Sequence, residues 1–167
     1  MLPPGEPSHT IIHQKWRAAR ARAEGLPLDQ RGPFVALLDS VESAWRHVRI
    51  LQHLHDRLSP TADGALASLL EFIDMNICDV FRDIADRLVV FVPDVSGGLI
   101  GEPDFDNTNA EAGHFGMLVA VLRSATFDPE IPADVAAAVR HPTDALQTWY
   151  AELEPSLELA AAAVEGP

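Results

Sequence analysis

The sequence predicts an all-α fold, an up-and-down helical bundle of four long helices plus one or two short helices. Apolar residues recur in every long segment at the spacing of about 3.6 that gives a helix one buried side. Alternating runs of β-branched and aromatic residues, which are typical of strands, are absent. With 167 residues, of which 47% are apolar and 22% charged, the chain is expected to form a single domain over residues 1–167.

A first helix is expected from about Ser8 to Glu24, after a flexible tail over residues 1–8. It should end at Gly25, because glycine commonly closes helices and Pro27 follows shortly after. Its apolar positions, spaced by four, three and four residues, are Ile12, Trp16, Ala19 and Ala23.

A second, long helix is expected to begin at Pro33, a favourable residue for a first helical turn, and to end near Ser59. Its predicted buried stripe comprises Phe34, Leu37, Val41, Ala44, Trp45, Val48, Leu51 and Leu58. His55 falls near the centre of this stripe and is predicted to point into the core. His53 is predicted to lie on the opposite, exposed side.

A third helix is expected to start with Ser59 as its N-cap and to continue without interruption to about Phe91. Its predicted stripe comprises Leu66, Leu70, Ile73, Ile77, Val80, Ile84, Leu88 and Phe91. The opposite side carries aspartates, of which Asp83 is expected to pair with Arg87 one turn away.

The remaining segments are a long loop and three helices. The loop covers residues 93–109, and a length of this kind inside a compact domain is often functional. A buried fourth helix is expected at about 109–126, with Thr108 and Glu111 forming a capping box, followed by a short helix at 132–140. A last helix should run from Pro142 to about Val164, with Pro155 facing outward and kinking it. Its predicted inner stripe is Leu146, Trp149, Tyr150, Leu153, Leu157 and Val164.

The acidic charge is concentrated in the second half of the chain. The net charge is −13, and residues 94–167 carry thirteen acidic against two basic side chains, which is −11 of that total. Such a surface repels nucleic acid and suits either simple solubility or a basic protein partner. We therefore expect partner binding at exposed acids such as Glu152, Glu154 and Glu158, with a second copy of the chain as an alternative partner.

Compartment and membrane association follow from what the sequence lacks. No apolar run approaches the roughly 20 residues of a membrane span, and the N-terminal residues do not resemble a secretory signal. The single cysteine, Cys78, agrees with a reducing compartment. The expected location is the cytoplasm, and no membrane partner is expected. Because Asp74 and Asp79 lie nearby, the pKa of Cys78 should be raised, which makes it a poor nucleophile.

A metal or haem site between the second, third and fourth helices is the alternative to a purely protein-binding role. A buried imidazole in a helical bundle is a natural ligand when neighbouring helices supply carboxylates. Di-iron bundles need two Glu-x-x-His motifs, whereas this chain has only Glu111-x-x-His114. A hydrogen-bonded core histidine is the competing interpretation of His55. The candidate ligands are His47 and His55 for a cofactor, and His55, Glu71, Asp74 and His114 for a metal.

Arg46 and His53 are the candidate catalytic residues. Their Arg-x6-His spacing resembles the pattern of HEPN-type RNases, which are small all-α domains. The resemblance covers eight of the 167 residues and implies that the two side chains act on a scissile phosphate, often across a dimer. The competing interpretation is a hydrated helix face with local charge pairs, formed by Arg46, Arg49, His53, Asp56 and Arg57.

Three hypotheses about function follow from the sequence. The first is a small acidic cytoplasmic helical protein that binds another protein as an adaptor, an accessory subunit or an immunity-type inhibitor, with no cofactor. The second is a metal- or haem-dependent enzyme or cofactor binder, and the third is a HEPN-like RNase. The sequence contains no nucleophile elbow, phosphate loop or dinucleotide fingerprint.

Overall fold

The computed structural model describes residues 7–93 and 103–165, and within these ranges the chain is helical and contains no strand. The all-α prediction is confirmed. Side chains are described from Gln14 to Ala163, apart from the same internal gap. The helices are α1 (Pro7–Glu24), α2 (Leu28–Leu58), α3 (Gly64–Phe72), α4 (Asp79–Leu88), α5 (Phe105–Ala125) and α6 (Ala133–Glu165).

Helix α2 starts five residues earlier than the sequence predicted. Pro33 lies inside the helix, and the carbonyl of Pro27 accepts from the amides of Gln30 at 2.9 Å and Arg31 at 3.1 Å. The prediction placed the start at Pro33 because proline favours first turns. Proline also fits the second turn here, since it removes only one amide donor near the helix end.

The connection from α2 to α3 differs from the predicted cap. Ser59 does not cap a new helix; it belongs to a 3₁₀ turn, Ser59–Thr61, that continues from the end of α2. The next helix begins after Asp63, at Gly64, whose φ of 56° lies in the left-handed region that glycine adopts without strain. The chain therefore makes its sharp change of direction at Gly64, five residues beyond the expected cap.

The predicted third helix is interrupted by a π-helical turn, Ile73–Cys78, between α3 and α4. On a regular helix, the buried residues before and after this turn would be offset by roughly 60–70° around the axis. The wider π turn absorbs this offset, so that one buried side continues through both helices. As a result Phe81 is fully buried and Val80 only partly, which reverses the predicted stripe at this point. A 3₁₀ turn, Val89–Phe91, ends the continuous rod formed by α3, the π turn and α4.

Helix α5 begins at Phe105, four residues earlier than predicted, and its cap is Asp104. The carboxylate of Asp104 accepts from the backbone amide of Asn107 at 3.0 Å. The predicted capping box is therefore wrong: Thr108 is buried within the first turns of α5. Aspartate caps a helix at least as well as threonine, so the first suitable oxygen along the chain determines the start.

The last two predicted helices form a single helix, α6, that runs through Pro142 and Pro155. Pro142 is buried and interrupts the backbone hydrogen bonds of α6 without ending it. Next to it, the Thr143 hydroxyl lies 3.0 Å from the Val139 carbonyl and 2.8 Å from the Arg140 carbonyl and can donate its single hydrogen to either. Pro155 is exposed, as predicted. The side chain of Val164 lies outside the described residues.

The core forms between α2, the rod of α3 and α4, α5 and α6, as the sequence predicted. The most extensive helix contacts are those of α6 with α2 and with α5, while α1 packs on α2 and α4. Aromatic rings occupy the centre: Phe81 lies 5.5 Å from Trp149 and 5.8 Å from Phe115 between ring centroids. The indole N–H of Trp149 donates to the hydroxyl of Ser40 on α2 at 2.8 Å.

We expect Phe81→Ala to lower the free energy of unfolding by about 3–5 kcal/mol, because it empties the aromatic centre of the core. The matched control is Phe127→Ala, since Phe127 is 59% exposed and should lose about 1 kcal/mol or less. Urea unfolding followed by tryptophan fluorescence measures both values. A smaller loss for Phe81→Ala than for Phe127→Ala would contradict this account of the core.

Candidate functional site

The candidate catalytic pair lies on the outer side of α2. Arg46 and His53 are both exposed and nearly aligned along the helix, two turns apart. Arg49 and Arg57 are exposed on the same side. Among the described side chains none of the three arginines forms an ion pair, so the local charge pairs expected on this face do not form. The prediction that His53 is exposed is confirmed.

His55 is half-buried, with 21% of its side chain exposed, so its predicted place in the core is wrong. The buried side of α2 turns toward Leu51 and Leu54 near the helix end, which leaves His55 at the edge. Its Nδ1 lies 3.0 Å from a carboxylate oxygen of Asp56. The amide of Gln52 contacts Asp56 and Asp74 at 3.4 Å each.

The remaining candidate metal ligands do not complete a site. Asp74 lies on the π turn and contacts Gln52, whereas Glu71 and His114 are exposed on α3 and α5. Within the described ranges, no group of three or more His, Cys, Asp or Glu side chains is placed to hold a metal ion. The two Asp side chains beside Gln52 and His55 thus form a hydrogen-bonded chain along the surface rather than a ligand set.

His47 has a partner that the sequence did not indicate. It faces His141 on α6, with 6.4 Å between the ring centroids and the rings close to perpendicular. Its Nδ1 is buried and has no hydrogen-bond partner among the described residues. Burial lowers the pKa of His47, and the neighbouring charges of His141 and Arg46 lower it further.

Cys78 is buried at the end of the π turn. Burial raises the pKa of the Cys78 thiol to about 12, and the carboxylates of Asp74 and Asp79 contribute to the increase. The predicted direction of this pKa shift is confirmed. A thiol with such a pKa is almost wholly protonated near neutral pH and is a weak nucleophile.

A surface cleft of about 320 Å³ lies between α1 and α4, away from the place that the cofactor hypothesis indicated. The charged side chains that line this cleft bond to one another or to the backbone. Lys15 pairs with Asp86 across it, and Arg22 donates to the carbonyls of Val89 and Val92. These contacts hold α1 against the end of α4. Residues 94–102 of the predicted 93–109 loop lie outside the described residues.

Helix α5 has an exposed side without charged residues, which we call the uncharged face. It was predicted to be a buried helix, and this prediction is wrong for the side that faces solvent. Met117 is 57% exposed and Val121 48% exposed. Between Asp106 and Arg123, no exposed residue of α5 carries a charge. The uncharged face consists of Ala110, Gly113, His114, Met117, Ala120 and Val121.

Tyr150 of α6 borders the uncharged face at the seam between α5 and α6. Its ring lies over Gly116, where a Cβ atom would come within 2.7 Å of the ring carbon Cε1. Gly116 is therefore required for this close approach of the ring to α5. Tyr150 was predicted to belong to the inner stripe, yet 38% of it is exposed.

The three candidate partner-binding acids are all exposed, but they do not form one patch. Glu154 lies on the α5 side, where the amide of Asn109 contacts its carboxylate at 3.4 Å. Because α5 and α6 run antiparallel, Glu158 lies one turn further, level with the start of α5 and beyond the uncharged face. Glu152 projects about 160° away from Glu154 around the helix axis. One of the three acids, Glu154, therefore borders the uncharged face.

Ion pairing differs sharply between the two halves of the chain. In the first half, Arg20 pairs with Asp39 and Glu42, and Lys15 with Asp86. In the second half, the one described ion pair joins Arg123 to Asp144. The other base there, Arg140, donates to Thr126 and stacks on Phe127 at 4.0 Å. In the second half, the exposed acids with no ion pair among the described residues are Asp104, Asp106, Asp128, Glu130, Asp134, Glu152, Glu154 and Glu158.

Comparison with known protein families, curated proteins and solved structures found no significant match to this chain. The fold and the surface together define an all-α bundle that exposes an uncharged helix face beside unpaired acids. Within the described ranges, no helix is both long enough and apolar enough to cross a membrane.

We expect the His47 contribution to stability to disappear in acid. The pKa of His47 is lowered in the folded state, so its neutral form stabilises the fold fully above the ordinary histidine pKa of about 6.5 and this stability is lost as pH falls below it. The difference in unfolding free energy between the native protein and His47→Gln should therefore shrink from about pH 7.5 to about pH 5. A difference that grows over this range would contradict the direction of the shift.

The contact between the His47 and His141 rings can also be tested by NMR titration. His141→Gln removes one of the causes that lower the pKa of His47, so the His47 ring should titrate at higher pH in that variant. An unchanged titration of His47 would show that the two rings do not interact.

Gly116→Ala tests the seam between α5 and α6. In a Tyr150→Ala background it should stabilise the protein by about 0.5–1 kcal/mol, because alanine favours helix more than glycine. With Tyr150 present the new Cβ meets the ring, so this gain should be lost. The control is Gly113→Ala, whose Cβ would lie 3.8 Å from the Tyr150 hydroxyl and should stabilise both backgrounds. Equal effects of Gly116→Ala in both backgrounds, read from thermal unfolding, would refute the contact.

Proposed function

We propose that this protein acts in the cytoplasm by binding a basic partner protein through the acidic surface of its second half. The observation that carries the proposal is the set of exposed acids on α5, α6 and their connection that form no ion pair with described residues. The expected biological role is that of an adaptor, an accessory subunit or an immunity-type inhibitor.

The charge arrangement supports this proposal. Where the chain uses acids to hold its own helices together, as at Asp39, Glu42 and Asp86, a base from another helix lies opposite. The acids of α6 are arranged differently, because both bases of the second half make contacts near the end of α5. Unpaired exposed carboxylates raise the negative potential of a surface and attract basic proteins over distances limited by salt.

The opposite charge on the partner predicts a kinetic effect. Long-range attraction speeds the encounter of complementary surfaces, so the association rate should fall as salt screens the charges. The dissociation rate depends more on the contacts made in the bound complex and should change less.

Reversing the charge of Glu152, Glu154 and Glu158 to lysine should slow association with the partner by at least about tenfold at low salt. The matched control reverses Asp29, Asp63 and Asp83, which are exposed in the first half. Both triple variants change the net charge from −13 to −7, by two per substitution. The control therefore distinguishes the effect of reversing charges on α6 from the effect of the change in net charge.

The experiment captures partners from host lysate on the immobilised protein in about 0.05 M salt and washes with about 0.5 M salt, which shortens the screening length severalfold. The captured protein is then purified for surface plasmon resonance against both triple variants. We expect a basic protein that is lost at high salt and slowed only by the variant on α6. No captured protein at low salt, or equal slowing by the two variants, would overturn the proposal.

A further inference from the structure

We infer that the uncharged face of α5 is the docking surface for an amphipathic helix of the partner, whose basic residues lie against Asp106, Glu154 and Glu158 at the Phe105 end of that face. This inference rests on the proposed function and names the partner's element at that surface. It starts from Met117 and Val121, two large apolar side chains exposed on the outer side of one helix.

The absence of charge is the first argument. Helices α1, α2, α4 and α6 present charged side chains on their exposed sides, whereas between Asp106 and Arg123 α5 carries one charged residue, Glu111, and it is partly buried. A surface helix that is apolar on all sides normally lies buried. Contact with another apolar surface here would remove Met117 and Val121 from water without removing a charge.

The shape of the uncharged face favours a helix as the bound element. Its residues recur three and four positions apart, which forms a ridge of about 16 Å from Ala110 to Val121. Small residues at Ala110, Gly113 and Ala120 allow close approach on either side of Met117. Helices pack by fitting such ridges into grooves between the side chains of the partner helix.

The inner side of α5 packs in the core, so the uncharged face is held in place before a partner binds. Phe115, Leu118 and Leu122 anchor the inner side of α5 in the core. The ring of Tyr150 lies over Gly116 and covers the seam to α6. A face held by a packed core loses little freedom on binding, so more of the contact energy appears as affinity.

The charges at the rim select a basic partner over a second copy of this chain. Asp106 lies one turn before the uncharged face, Glu154 lies beside its first turn at Asn109, and Glu158 lies one turn further toward the start of α5. Two copies would each bring a net charge of −13 to the contact. Lysine or arginine residues on the flanks of an apolar helix stripe instead place opposite charges at this rim.

The test uses a synthetic peptide as the probe. It is a fluorescein-labelled 18-residue helix with leucines at positions three and four apart and lysines on both flanks. A second peptide of the same composition has the leucines scrambled so that no apolar stripe forms. Fluorescence anisotropy measures the affinity of each peptide for the full chain. We expect the striped peptide to bind at least about tenfold more tightly, because only it presents an apolar stripe to α5.

Uncharged substitutions separate apolar contact from electrostatics. Met117→Gln and Val121→Gln should each weaken binding of the striped peptide by about tenfold, as loss of a central apolar contact does. The matched control is Ile50→Gln, since Ile50 is a similarly exposed apolar residue, 42% exposed, on the outer side of α2. It should change the affinity less than about twofold. Thermal unfolding of each variant verifies that the fold is retained.

The outcomes separate this inference from the proposed function. Equal binding of the two peptides, or equal effects of Val121→Gln and Ile50→Gln, would overturn docking on α5 and leave binding through acids intact. Loss of the effect of Glu154→Lys and Glu158→Lys, with Val121→Gln still harmful, would instead overturn the basic partner. Sedimentation of the protein alone should show a monomer. If the protein forms a dimer that Val121→Gln dissociates, a second copy of the chain occupies the uncharged face, and a basic partner helix as its occupant is refuted.

Discussion

The packing of Phe81 against Trp149 is the contact on which the arrangement of the helices depends. Phe81 comes from α4 and Trp149 from α6, and Phe115 of α5 contacts both rings. The hydrogen bond from Trp149 to Ser40 brings in α2. These four residues therefore connect all four core helices at one place. Because Phe115 fixes the inner side of α5, the opposite side of that helix must face solvent.

The distribution of charge divides the bundle into two parts with different uses of acidic residues. In the first half, lysine and arginine on α1 pair with acids on α2 and α4 and so attach the first helix to the core. In the second half, hydrophobic packing, the Trp149 hydrogen bond and the pair of Arg123 with Asp144 hold α6, and its other acids form no ion pair with described residues. Acids that form no ion pair within the fold are available to bind a partner protein.

The sequence predicts much of the fold because helical periodicity is a local property. The burial of Trp16, Ala19 and Ala23 in α1, of most of the predicted stripe of α2, and of Leu146, Trp149, Leu153 and Leu157 follows from spacing alone, whereas the side chain of Ile12 lies outside the described residues. Helix ends are less predictable, since Pro33, Ser59 and Thr108 each fit a start that another residue provides instead. Pairings between distant segments, such as His47 with His141, depend on how α2 and α6 are aligned, and no local pattern encodes that alignment.

The candidate surface was only partly predictable for the same reason. The exposure of the acids on α6 follows from helical spacing, but their division into two flanks depends on where α5 lies. A helix as apolar as α5 is expected to be buried, and only the completed bundle shows that no helix within the described ranges covers its outer side. The signal in the sequence was that Glu111 is the single charged residue between Asp106 and Arg123, a pattern that also fits a buried helix.

The π turn at Ile73–Cys78 makes the length of this segment as important as its composition. The wide turn accommodates one residue more than an α-helix would, so loss of one residue here leaves an ordinary helix on which the buried sides of α3 and α4 differ by only about 30–40°. Gain of a residue would instead rotate α4 by about 100° relative to α3, and Phe81 would leave the aromatic centre. The segment should therefore accept replacements at its exposed position Met75 and the loss of one residue, whereas a further insertion should unfold the core. The length of this segment can thus change in one direction only.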